Sequence, residues 1–493
     1  MGMGEGMGQE PHVSILRRAG PLLVARLGVA VLTFAIPMVL ARMLLPASYG
    51  TFKQAWLLSN TLTLVLPLGL TQSLVYFVPR EPLLKRAWVT HTLVLTTGLG
   101  VLAALVLLTA GKLTADLFHN PELHALMPYV AAFTAFKMTG ACLDTAYMAE
   151  GRIQQSAIIR VASEGFYTAC LVAGALLFGT VGGAFAGAVV ATGARALAAW
   201  LMLGRQGLDF SLPLLRRQLA YALPFGCAFA VIIPQQQFHS YLVSASVTAA
   251  AFAVYSVGCF QLPIVDMLYT PVSEILQLGI AEFDARNDPA SALKLFHEAV
   301  ARLSFVFLPT MALLCLVAPQ LIQFLFTDRY LSAVPIFRLA LISIPMAALP
   351  LDGVMRARAQ NGFMLRVSFL KLALTVPLAV LGLKLFGPIG ALGGWICAEE
   401  ACRMIVLART SKLFGASLLH TLPRELWFQA AAAGLAALPA ALALFLARGP
   451  LLAQLFICGV TYAAAYLATL RAMGQLPPVR EWIPRRTTLQ VAA

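Results

Sequence analysis

The sequence predicts an all-α polytopic membrane protein with about fourteen transmembrane helices, grouped as two pseudo-symmetric six-helix lobes plus two extra helices. Three observations predict it. Charged residues make up 11% of the 493 residues and hydrophobic residues 60%, whereas a soluble domain carries roughly a quarter charged residues. Apolar runs of about 20 residues, long enough to cross a bilayer as helices, recur along the chain. The second half of the chain also echoes the first at a fixed offset. So little charge cannot coat so large an apolar mass, which excludes a soluble enzyme, a nucleic-acid binder and a disordered protein.

The runs are 21–44, 54–78, 88–110, 123–149, 158–178, 183–204, 219–244, 251–279, 300–326, 335–357, 367–385, 388–408, 425–447 and 452–470. The first is too long for a signal-peptide core and lacks a small-x-small cleavage site. The Gly/Met-rich MGMGEGMGQE ahead of it is expected to be disordered. The seventh holds Pro224 and Pro234, which should bend or break it. The longest polar break, about 281–298, carries Phe283, Leu293 and Phe296 between Lys294 and Glu298, as a short amphipathic surface helix would. The expected organisation is a tail at 1–20, an N-lobe at 21–218, a C-lobe at 219–410, two further spans at 411–470, and a tail at 471–493.

Lys and Arg set the orientation, because they gather on the cytoplasmic side. With the N-terminus inside, inside segments hold 22 of them and outside segments five (Lys53, Lys112, Arg329, Lys384, Arg448). Both termini are therefore expected in the cytoplasm, and the net charge of +14 is a topology signal that needs no nucleic acid. The eight cysteines all lie in apolar stretches without CxxC spacing, so they read as small buried hydrophobes and not as zinc ligands or disulfides. No phosphate-binding loop is present, and no cofactor is expected.

At an offset of 208, Leu143-Asp144 matches Leu351-Asp352, Phe178-Gly179 matches Phe386-Gly387, Gly182 matches Gly390 and Arg195 matches Arg403. Spans 4–6 thus echo spans 10–12. An even-numbered offset in spans keeps both copies in one orientation, a parallel repeat of the kind transporters use.

Several local features carry a resemblance: Ala41-Arg42-Met43-Leu44-Leu45-Pro46 with Tyr49-Gly50-Thr51-Phe52, Pro67 and Gly69 with Tyr76-Phe77-Val78-Pro79-Arg80, and Ala149-Glu150-Gly151-Arg152. Further along come Leu223-Pro224, Val254-Tyr255-Ser256-Val257, and Pro309 with Phe324-Leu325-Phe326 and Tyr330. In their order and spacing, over most of 15–410, the chain resembles the multidrug/oligosaccharidyl-lipid/polysaccharide (MOP) exporter superfamily. Within it, the chain is most similar to the polysaccharide-biosynthesis, Wzx-like oligosaccharide flippase branch. The resemblance implies a V-shaped pair of lobes, alternating access, and a substrate with a lipid tail and a sugar-phosphate head.

An ionisable group inside the bilayer normally faces a partner or a wet cavity. Glu399 and Arg403, and Asp352 and Arg356, are spaced i,i+4 and are expected to pair; Arg160 and Glu164 have that spacing in reverse order. Arg26, Lys137, Arg302 and Lys371 are the expected head-group contacts, since cations suit a pyrophosphate; their alternative is salt bridging with Asp144, Glu164 or Asp266. Gln235, Gln236 and His239 in span 7 are expected to bind sugar hydroxyls, and Asp144, Asp266 and Glu274 to couple an ion.

The expected function is to flip an undecaprenyl-pyrophosphate-linked oligosaccharide across the bacterial inner membrane, for O-antigen (lipopolysaccharide), capsule or exopolysaccharide synthesis. The expected partners are that lipid-linked oligosaccharide, the bilayer, H+ or Na+, and a polysaccharide polymerase. A MurJ-like lipid II (peptidoglycan precursor) flippase fits the span count equally well. A multidrug or cation antiporter fits less well, because spans 1, 2, 3 and 7 hold no Asp or Glu. A membrane polymerase or ligase would need a larger outside loop.

Overall fold

A computed structural model describes residues 15–205, 207–260 and 263–476, with side chains from residue 28 onward apart from 225 and 264. The Gly/Met-rich leader, the Arg26 side chain, and Arg480, Arg485 and Arg486 lie outside the described residues. The described chain is helical, with no strand. It divides into two compact units, 1–253 and 254–493.

The first unit holds α1 (Ile15–Met43), α2 (Pro46–Val65), α3 (Leu70–Arg80), α4 (Lys85–Leu117), α5 (Pro121–Gly140), α6 (Cys142–Ala149), α7 (Ile153–Phe178), α8 (Val181–Gly204) and α9 (Leu212–Ser244). Helix α10 (Ala249–Gly258) straddles the division. The second unit continues with α11 (Pro263–Ala285), α12 (Pro289–Phe326), α13 (Val334–Ala340), α14 (Ser343–Met346), α15 (Leu351–Ala357), α16 (Asn361–Phe414), α17 (Leu418–Thr421), α18 (Arg424–Leu446) and α19 (Leu451–Ala472). Among the described residues, eleven helical stretches are long and apolar enough to cross a membrane. One of them, α16, runs 54 residues through a left-handed turn at Gly387 and carries two of the expected spans.

Helix ends follow local chemistry. Pro46 and Pro121 open α2 and α5, where a missing N–H costs nothing. Gly179 takes φ +63° to end α7, and the Thr180 side chain accepts the Gly183 N–H at 3.1 Å to start α8. Span 2 breaks at Leu68 and Gly69, both with positive φ. Span 7 is not broken: α9 stays helical through Pro224 and Pro234 and packs on α2 and α3.

Lipid gives helices no hydrophobic reason to associate, so close packing must hold them together. Glycines supply it in the α7–α8 hairpin, where a Cβ added at Gly174 or Gly187 would collide with the carbonyl oxygen of Gly183 or Cys170. The two arms of α16 repeat this: a Cβ at Gly382 or Gly394 would strike the carbonyl of Gly390 or Leu378. The repeated sequence thus builds the same interlocked hairpin in each unit.

The expected surface helix over 281–298 is not a separate element. The segment extends α11 and α12 around a turn at 286–288, capped by Asp288, which accepts the Ser291 N–H at 3.0 Å. Phe296 is fully buried, with Phe283 and Leu293 packed on the same core. The apolar face that marked it amphipathic is a core face.

Candidate functional site

In the first unit, α5 packs against α2, α4 and α8, and α7 packs along α8. This brings three ionisable side chains, Asp144, Glu164 and Arg195, together from separate helices. Arg195 on α8 places Nη2 2.6 Å from Asp144 Oδ1 and Nη1 3.5 Å from Glu164 Oε1. Its side chain is 19% exposed. Gly140 leaves room for it, since a Cβ there would approach the Arg195 Cγ to 2.9 Å. Glu164 therefore turns to α8 and not to Arg160, its neighbour one turn away.

Lys137, on the last turn of α5, stands apart from this bridge. Its Nζ lies 4.7 Å from the centroid of the Trp56 ring and 5.4 Å from that of Phe133. Trp56, Phe133 and Tyr167 pack as one wall, with centroids 5.8 to 6.5 Å apart. No carboxylate oxygen lies within 4.0 Å of Lys137 Nζ among the described residues. An ammonium over an indole face keeps its donors free for a further anion.

In the second unit the polarity is inverted. Glu399 accepts from Lys371 at 2.9 Å and from Arg403 at 3.2 Å. Arg195 thus bridges two acids in one unit, and Glu399 bridges two bases in the other. Asp352 pairs with Arg356 at 2.7 Å and accepts hydrogen bonds from Tyr269 and from Ser273, the latter at 3.0 Å.

The other expected residues are dispersed. Arg26 lies on α1 with its side chain undescribed. Arg302 is largely exposed and pairs with Glu298 at 3.9 Å. On α9, Gln235 is 1% exposed and both its amide atoms lack hydrogen-bond partners. His239 is buried beside the Ser240 hydroxyl at 3.4 Å, while Gln236 is exposed. Asp266 and Glu274 are exposed along α11, with no cation within 4.0 Å among the described residues. Trp56, Tyr167, Tyr269 and Ser273 went unmarked as site residues. Tyr269 and Ser273 share the i,i+4 spacing on α11 that would have flagged a polar face.

The family described as "Polysaccharide biosynthesis protein" matches residues 39–335. A comparison with curated protein sequences gives no match. Among solved structures, a lipid II flippase, MurJ, in an inward closed conformation is similar with a TM-score of 0.69 at 12% identity, covering 93% of this chain and 100% of that one. An inward-facing multidrug resistance MATE family transporter of the MOP superfamily gives 0.63 at 14% identity, over 82% and 96%. A MOP superfamily transporter from Pyrococcus furiosus gives 0.57 at 13% identity, over 81% and 95%.

Proposed function

Because the chain belongs to the polysaccharide biosynthesis protein family of the MOP superfamily, we propose that it is a flippase for an undecaprenyl-pyrophosphate-linked oligosaccharide, working by alternating access. One observation carries the reading: Lys137, a membrane-embedded ammonium held over Trp56 with no carboxylate within 4.0 Å. A cation in such a place, with Glu164 acting on it only from beyond ion-pair distance, is suited to an anion from outside the chain, and a pyrophosphate supplies one. Gln235, with donor and acceptor both unspent, is suited to sugar hydroxyls. Asp144 is the best placed of the three acidic residues to couple an ion, because it already answers to Arg195. The Lys and Arg asymmetry supports an orientation with both termini cytoplasmic, and the flippase reading puts the protein in the bacterial inner membrane. H+ or Na+ is the driving ion in this reading, and a polysaccharide polymerase takes the delivered product.

Flipping requires no covalent step. The likeness to the lipid II flippase, at 12% identity, is one of fold, and the family match favours a polysaccharide precursor. Depletion of the protein in cells tests the choice. A pathway-specific lipid-linked oligosaccharide should accumulate in the cytoplasmic leaflet. Accumulation of lipid II would replace this reading with the peptidoglycan one, and accumulation of neither would remove both.

A further inference from the structure

The second arm of α16 carries two adjacent carboxylates, Glu399 and Glu400, which an α-helix points about 100° apart. Glu399 takes both nearby cations. Glu400 takes neither: its two carboxylate oxygens are buried and make no hydrogen bond. We propose that Glu400 is a proton-binding site, whose carboxyl carries a proton in this conformation and releases it to water when its surroundings open.

Arg403 and Glu399 are the charges that act on it, and the titratable groups on its own helix and on nearby elements are engaged elsewhere. On its own arm, Arg403 is held by Glu399, and Cys397 and Cys402 are the nearby thiols. Lys371 on the other arm is 2.9 Å from Glu399. On α15, Asp352 and Arg356 pair with each other. Tyr269 on α11 donates to Asp352, and Arg338 on α13 donates to the Cys315 carbonyl at 2.9 Å. An ionised carboxylate here would forgo its hydration, at a cost of several kcal/mol, against only a through-space attraction to Arg403 that the neighbouring Glu399 charge opposes. A neutral carboxyl forgoes only what an unpaired polar group does, about 1–3 kcal/mol. The neutral form is therefore the resident one.

A proton suits the site and a metal ion does not. Hard cations take several oxygen ligands, and among the described residues no group of three or more His, Cys, Asp or Glu side chains could hold one. The repeat also makes this acid particular to one unit. At the offset of 208 its counterpart is Thr192, whose hydroxyl donates to the Ala188 carbonyl at 2.7 Å. Occupancy by the proton does not depend on what is transported; its coupling to transport rests on the flippase reading above.

Infrared difference spectroscopy of the full chain in lipid nanodiscs tests occupancy without any substrate. At neutral pH the wild-type protein should show a protonated-carboxyl C=O stretch that disappears in Glu400→Gln, shifts in Glu400→Asp and persists in Glu399→Gln. If the Glu400→Gln spectrum matches the wild type, or if the band vanishes with Glu399→Gln and not with Glu400→Gln, the proposal is overturned. Should Glu400→Gln fail to fold, the shift in Glu400→Asp decides by itself. Coupling is read separately. In proteoliposomes that flip the lipid-linked oligosaccharide, Glu400→Gln should flatten the pH dependence of the rate, and an unchanged profile would leave a proton site with no part in transport, overturning that half. Failure of the wild-type protein to flip anything would sink the flippase reading and leave the infrared result standing.

Discussion

Lys137 and Lys371 look alike in the sequence, as lone lysines in apolar spans, but replacing each with alanine should have opposite consequences. Lys371 is 22% exposed and lies 2.9 Å from Glu399, itself 16% exposed. At an effective dielectric near 20 that attraction is about 6 kcal/mol before desolvation, and breaking a buried pair usually costs about 3–5 kcal/mol. Arg403 remains 3.2 Å from Glu399, so Lys371→Ala should cost about 2 kcal/mol of stability, below the full value for a broken pair. Lys137 has ring faces to lose, worth about 0.5–2 kcal/mol, and a longer-range attraction to Glu164, and loses with them a charge that has no direct ion pair in the membrane. Lys137→Ala should therefore be nearly neutral for stability. Its effect should fall on transport. A charge-assisted hydrogen bond to phosphate is worth about 1.5–3 kcal/mol, so flipping should slow roughly 10- to 150-fold. Thermal unfolding in nanodiscs reads the first quantity and flipping in proteoliposomes the second. Equal destabilisation by the two variants, or wild-type flipping by Lys137→Ala, would refute the reasoning.

Arg195→Met should destabilise the protein by about 3–5 kcal/mol, because it strands two carboxylates, while Arg302→Met should change stability by less than about 0.5 kcal/mol. Unfolding curves of the two variants check this, and adding Asp144→Asn to Arg195→Met should recover part of the loss. Gln235→Leu removes two buried polar atoms that have no partner, so it should raise stability by about 1 kcal/mol and slow flipping. A loss of stability would mean that the amide is satisfied in the folded state.

The helical plan was legible because membrane spans announce themselves by length and apolarity alone. The repeat was legible too, since Phe178-Gly179 and Phe386-Gly387 mark the same turn, and both glycines adopt positive φ. The wiring of the charges was only partly so. Spacing of i,i+4 found Glu399 with Arg403 and Asp352 with Arg356. It also suggested Arg160 for Glu164, yet Glu164 reaches Arg195 on the next helix. Pairing across helices depends on which faces pack, and that is decided by distant glycines such as Gly140, which no periodicity reveals. The segment at 281–298 misled for a related reason. An apolar stripe says that something covers it, and does not say whether the cover is lipid headgroups or the protein's own core.

The interlocked hairpins limit how this protein can deform. Where one helix's carbonyls sit in the hollows of its partner's glycines, a slide of one residue, about 1.5 Å, would drive a Cβ into a backbone. Shear along that seam is blocked, so α7 with α8, and the two arms of α16, must each travel as a stiff plate. The give then has to come from hinges, and within the first unit the interruptions at Leu68–Gly69 and at Ala141 are where the spans can flex.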